Sequence, residues 1–144
     1  MTPRAPARAR PPGPPAFVNR LLLAVLRSPL HRLAGRGLLA LTITGRRTGR
    51  PIQLPVQHAA DGDRLVIVAA GASRKHWWRN LIGGAPVTVD RHGRRLAGRG
   101  RIAEGAEAAA ALAVWTRRHP KAAPGLADDV AVVVIDQLHP GPDA

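Results

Sequence analysis

Arg46, Arg47 and Arg50 crowd into one short segment, GRRTGRP over Gly45–Pro51, between two apolar runs. Each guanidinium carries a planar fork of N–H donors that matches the paired oxygens of a phosphate or carboxylate. Gly45 and Gly49 let the backbone turn and bring its own N–H groups close to a ligand, and Thr44 and Thr48 add hydroxyls. The segment reads as an anion cradle, with Arg46, Arg47, Thr48, Gly49 and Arg50 as its binding residues. It is not a Walker A loop, because no Gly-Lys-Ser/Thr follows at the required spacing. Nor is it a Rossmann turn: Pro51 and Pro55 oppose a helix, and the chain returns as a strand.

A second constellation is KHWWRNL, Lys75–Leu81. On a helix, the adjacent Trp77 and Trp78 would point about 100° apart, so that one enters the core while the other faces a groove. A flat apolar wall beside Arg74, Lys75 and Arg79 suits a planar, anionic ligand through stacking and charge pairing. The plainer reading has both tryptophans plugging the end of a barrel. Asn80 either caps the turn or offers its amide to a ligand.

The rest of the polar inventory carries less. The six histidines show no paired metal spacing, and with no cysteine and no clustered carboxylate no metal site is expected. Ser28 and Ser73 lie outside any nucleophile elbow, and Asp128-Asp129 reads as a solvated loop. No side chain qualifies as a nucleophile, so catalytic residues stay unassigned and the chemistry falls to a bound cofactor.

These residues need a scaffold, and the sequence supplies one. Strands are expected over Leu38–Thr44 and Ile52–His58, flanking the basic loop. In the second, Ile52, Leu54, Val56 and His58 share one face. After an Asp61-Gly62 turn, Arg64–Ala70 (RLVIVAA) is apolar enough to be buried on both faces. His76–Ile82 forms one or two helical turns, and Pro86–Arg91 and Arg94–Ile102 flank a hairpin turn at His92-Gly93. Glu104–His119 is an alanine-rich helix stopped by Pro120, and Val130–Leu138 is a central strand. The fold class is mainly β (α+β): about six antiparallel strands in a small barrel with peripheral helices. In front of it, residues 1–16 read as a disordered Pro/Arg-rich tail and residues 17–30 as an amphipathic helix, which either packs on the core or rests on an anionic membrane. The barrel domain occupies residues 36–139.

Charge is distributed unevenly. Residues 1–60 carry ten arginines and no carboxylate, whereas the remainder holds twelve basic against nine acidic groups. Such a field concentrates anions around the N-terminal half. The 45% hydrophobic content excludes a wholly disordered chain, and no apolar run approaches the roughly 20 residues that span a bilayer.

The runs LTITGRRTGRPIQLPV, DGDRLVIVAA, HWWRNL and PVTVDRHGRRLAGRGRIA together resemble the deazaflavin-dependent nitroreductase family, over Leu38–Leu138. The resemblance implies an FMN-binding-like split β-barrel that binds coenzyme F420, a planar deazaflavin with a phosphodiester and an acidic glutamate tail. It implies Arg46, Arg47 and Thr48 on the phosphate and tail, and Leu54, Pro55 and Val56 along the ring. It further implies backbone contacts from Val68, Ala69 and Ala70, with Trp77, Trp78 and Asn80 along the deazaflavin and its side chain. Three departures stand out: Ile52 occupies the position after the loop proline where the family carries arginine, the loop before Trp77 is about two residues short, and the tyrosines expected near the last helix are absent.

The leading expectation is therefore an F420H2-dependent oxidoreductase passing a hydride to an electron-poor acceptor such as a quinone or nitro compound, with solvent, His58 or His76 supplying a proton. A second reading keeps the barrel and exchanges the ligand for FMN, heme or biliverdin. A third is a non-enzymatic binder of membrane surfaces or nucleic acid, although no specific nucleic-acid partner is expected. A cytoplasmic location fits, with peripheral contact at the inner face of the cell membrane through the N-terminal helix. A homodimer is expected by analogy with related flavin proteins.

Overall fold

The computed structural model describes residues 37–122 and 129–142. The expected tail over 1–16 and helix over 17–30 lie outside the described residues. Six strands form a closed antiparallel barrel: β1 Leu38–Thr44, β2 Pro51–Asp61, β3 Arg64–Ala70, β4 Ala85–Arg91, β5 Arg94–Ile102 and β6 Val130–Pro140, in the order β1-β2-β3-β6-β5-β4. One helix, α1 (Gly105–Arg118), lies on the outside, and two short 3₁₀ turns, Ala72–Arg74 and Trp77–Leu81, connect β3 to β4.

The strand patterns follow from what covers each face. Leu65, Ile67, Val133 and Ile135 turn into the barrel with Leu39, Leu41 and Ile43. The alternate residues Val66, Val132 and Val134 turn outward and are covered by Ala111 and Trp115 of α1. That is why RLVIVAA and VAVVVI are continuously apolar rather than alternating. In β2 the alternation survives, with Val56 and His58 buried and Gln57 exposed. The strand is longer than Ile52–His58 and runs to Asp61, where Gly62 takes the left-handed conformation of a tight turn (φ 58°). At the β4–β5 hairpin both His92 (φ 51°) and Gly93 (φ 75°) are left-handed, as a type I′ turn requires.

Two seams of the barrel are incomplete, and both are open at the end that carries the Gly45–Arg50 loop. β2 and β3 pair only through His58–Asp61 and Arg64–Ile67, so beyond Ile67 the strands diverge. β1 and β4 pair only through Ala40–Thr42 and Thr88–Asp90. The Gly45–Arg50 loop and the segment from Gly71 to Gly84 close this end. Its plug is Leu81, 0% exposed, which lies against Val87 and fills the space left by Gly100. Neither tryptophan enters the core outright as the sequence had suggested: Trp77 and Trp78 are both half-buried beside the plug. The reason is local geometry, because the segment winds as a 3₁₀ turn at about three residues per turn and turns Leu81 inward.

Candidate functional site

The basic loop holds its own shape. Gly45 donates its N–H to the Arg50 carbonyl (2.8 Å), and Gly49, left-handed at φ 69°, donates to the Gly45 carbonyl (2.7 Å). Thr48 Oγ1 accepts the Arg50 N–H at 3.3 Å, so this hydroxyl serves the loop itself. A Cβ on Gly45 would meet that oxygen at 2.9 Å, which leaves room for glycine alone. The guanidinium-bearing residues Arg46, Arg47 and Arg50 stay exposed.

The 3₁₀ turn is fastened to the loop by Asn80. Its Oδ1 accepts the Arg46 N–H at 2.8 Å, while its Nδ2 donates to the Trp77 carbonyl at 2.9 Å. Between the two segments lies a cleft of about 420 Å³, lined by Gly45, Arg46, Arg47, Thr48, Ile52, His76, Arg79 and Asn80. Among the described residues no carboxylate lines it. Among the described residues the ion pairs engage Arg64, Arg95 and Arg101, and none engages Arg46, Arg47 or Arg79. The backbone N–H groups of Arg47 and Thr48 likewise have no acceptor among the described residues. Uncompensated guanidiniums and free backbone donors around one cavity are the groups that pair with the oxygens of a multiply charged anion.

Of the residues singled out from the sequence, Arg46, Arg47, Thr48 and Asn80 meet in this cleft, and Gly49 and Arg50 complete the loop behind it. Leu54 and Val56 lie further along β2 and pack on the barrel core, with Pro55 between them. Val68 packs under α1, and Ala69 is buried against Ala72, Ala131 and the two tryptophans, with Ala70 ending the strand. Val68–Ala70 bond to β6 on one side, and their other edge faces the opened β2 seam.

Trp78 donates its Nε1–H to the Ala72 carbonyl (2.9 Å) and borders a separate cleft of about 500 Å³ beneath α1, with Ser73, Ile102, Ala108, Leu112 and Asp129. Arg79 lies over the Trp78 ring at 5.5 Å and belongs to both clefts. Arg79, expected as a charge beside the tryptophans, and His76, expected as a proton source, both line the basic cleft. They lie three residues apart, and in a 3₁₀ turn such residues eclipse on one face.

His58, a candidate proton source, sits at the opposite end of the barrel. It is 4% exposed, donates from Nδ1 to the Gly37 carbonyl (2.9 Å) and accepts the Arg91 Nε–H at Nε2 (2.9 Å). Burial, and then the neighbouring Arg91 charge, lower its pKa to about 4, so the ring is neutral near neutral pH. His76, by contrast, lines the basic cleft. Among the described residues no group of histidines and carboxylates is placed to hold a metal ion.

A family model described as F420H(2)-dependent quinone reductase matches residues 28–137. Comparison with curated proteins gives no match. Among solved structures, one described as an F420-H2 dependent reductase (FDR-A) is 21% identical, with a TM-score of 0.60 over 70% of this chain and 95% of that one. Another, described as a domain-swapped dimer, is 20% identical, with a TM-score of 0.61 over 86% of this chain and 100% of that one. The heme storage protein HutZ from Vibrio cholerae is 15% identical, with a TM-score of 0.54 over 81% of this chain and 92% of that one. At such identities these likenesses establish the split-barrel fold.

Proposed function

The chain belongs to the F420H(2)-dependent quinone reductase family, and on that footing we propose that the cleft between Gly45–Arg50 and His76–Leu81 holds the phosphodiester and acidic tail of F420. The protein is an F420-dependent oxidoreductase. The observation that carries the site assignment is a carboxylate-free cleft in which Arg46, Arg47 and Arg79 lack any ion-pair partner among the described residues. The donor set fits the cofactor: its tail is polyanionic, and every charged group lining this cleft is cationic.

Bound and reduced, F420 supplies a hydride to an electron-poor organic acceptor. The chain's residues supply the rest. Arg46 and Arg47 bind phosphate and tail oxygens, and the N–H groups of Arg47 and Thr48 add directed donors. Asn80 fixes the loop before the ligand arrives, which lowers the ordering cost of binding. The opened seam between Pro55–Gln57 and Val68–Ala70, closed above by the half-buried Trp77, offers backbone groups and an apolar wall to the ring. His76, exposed at the cleft, is positioned to exchange a proton with solvent.

A quinone is the acceptor class that the family supports. The carboxylate-free, arginine-rich sequence of residues 1–60 supports peripheral contact with an anionic membrane, where lipid-soluble quinones reside. No helix among the described residues is long and apolar enough to cross a membrane. A homodimer remains part of this reading.

Titration of the full chain with F420, FMN and FAD tests the assignment. Micromolar F420 binding that falls at least tenfold in the Arg46→Ala, Arg47→Ala double variant supports it, since each charged hydrogen bond contributes about 1.5–3 kcal/mol. Undiminished binding in that variant would move the site elsewhere. Protein that is coloured as isolated by tightly held FMN or heme, with no affinity for F420, would overturn the cofactor.

A further inference from the structure

At the barrel end opposite the Gly45–Arg50 loop lies a second cavity of about 430 Å³. Its size falls within the roughly 300–1,000 Å³ of small-molecule sites. Gly37, Leu38 and Gln57–Ala60 form its walls, and Arg91, His92, Arg118 and His119 supply its polar groups together with the buried His58. These come from β2, the β4–β5 turn and the end of α1, three elements brought together only by the fold.

The polar groups are held in place. His58 fixes Arg91 through its Nε–H, leaving both terminal nitrogens of that guanidinium without an acceptor among the described residues. His119 donates from Nε2 to the His58 carbonyl (2.7 Å) and lies tilted against Trp115, with ring centroids 4.6 Å apart. Arg118 stands exposed beside them, and neither Arg91 nor Arg118 joins any ion pair among the described residues. Among the described residues no carboxylate lines the cavity, and the sequence before Gly37 contains none to offer.

Two guanidiniums are thus gathered around a neutral imidazole with no counter-charge among the described residues. Burial, and then the Arg118 charge, already disfavour the cationic form of Arg91. A dianion seated between the two would relieve that repulsion and satisfy the open N–H groups. We propose that this end of the barrel is a second anion site, which takes a phosphate dianion between Arg91 and Arg118, with the imidazoles of His92 and His119 beside it. It is separate from the cofactor cleft.

The test follows the imidazole resonances of the full-length protein by NMR during titration with inorganic phosphate, glycerol 3-phosphate and uncharged glycerol. Saturable shifts of His58 and His119 with the phosphates and none with glycerol are expected. Tighter binding of the ester identifies a phosphorylated small molecule as the occupant, and equal binding identifies the free ion; both support the site. Arg118→Gln, at an exposed position that spares the fold, should weaken binding about tenfold, the equivalent of one charged hydrogen bond. The Arg46→Ala, Arg47→Ala variant should respond as wild type does. Undiminished affinity in Arg118→Gln, shifts that vanish in the Arg46/Arg47 variant, or shifts that never occur would each overturn the proposal.

Discussion

Asn80 Oδ1 accepts the backbone N–H of Arg46 at 2.8 Å, joining residues 34 apart in sequence. Through its Nδ2 the same side chain holds the Trp77 carbonyl, so one amide ties the basic loop to the turn that carries both tryptophans. The cleft is a product of that clip. Without it the two segments share no side-chain hydrogen bond among the described residues, and the loop would order only as ligand arrived.

Asn80→Ala should therefore weaken F420 binding about fivefold, within the roughly 0.5–1.5 kcal/mol of a net hydrogen bond, with little loss of global stability. Asn80→Asp keeps an acceptor for Arg46 but places a negative charge in a cleft built for anions. Its affinity should fall further than that of the alanine variant, and added salt should narrow the gap. Equilibrium dissociation constants at two ionic strengths check both outcomes, and an unaltered constant in Asn80→Ala would remove the clip from the binding mechanism.

Much of this arrangement is legible in the sequence, for identifiable reasons. The hairpin at His92-Gly93 was readable because only certain residues tolerate two successive left-handed conformations. Strands β3 and β6 were readable because a barrel lined inside and covered outside demands unbroken apolar runs. The exposed basic loop was readable from arginine and glycine density alone. The winding of Trp77–Leu81 was not: a five-residue segment gives no period from which to separate an α-helix from a 3₁₀ turn, and the difference decides which side chain plugs the barrel. The His58 network was equally hidden, because its partners lie 33 and 61 residues away and no local pattern couples them.

Ile52 is 38% exposed at the cleft, where the family resemblance leads one to expect arginine. Ile52→Arg should add a fourth cation beside Arg46, Arg47 and Arg79 at little cost to the fold. F420 affinity should rise about two- to fivefold, the equivalent of a surface ion pair of up to 1 kcal/mol, and its salt dependence should steepen. Weaker binding would mean that the isoleucine makes apolar contact with the ligand instead.

Leu81 is 0% exposed and packs on Val87 at the mouth of the barrel. Leu81→Ala should cost about 2–5 kcal/mol in urea unfolding, as cavity-forming substitutions do. Because Asn80 precedes it on the same turn, F420 affinity should fall as well, whereas a substitution such as Ile82→Ala, at an exposed neighbour, should change neither quantity by much. Loss of stability with unchanged affinity would separate the plug from the site.

His58 should make the fold sensitive to mild acid. Its ring is buried, and protonation would place a charge beside Arg91, forcing two N–H donors to face each other at a distance now spanned by one hydrogen bond (2.9 Å). The folded pKa of about 4 lies below the ordinary 6.5, so between these values the unfolded chain binds more protons than the folded one. Stability is thus fully present above about pH 6.5 and declines as the pH falls toward 4, by up to about 3 kcal/mol at 1.36 kcal/mol per unit. In His58→Gln the amide oxygen can still accept from Arg91 but nothing titrates. That variant should be less stable near neutrality and flatter with pH over the same interval. Carboxylates contribute to both proteins alike, so the difference between the two urea-denaturation profiles isolates the histidine, and parallel profiles would mean that His58 is not held neutral by the fold.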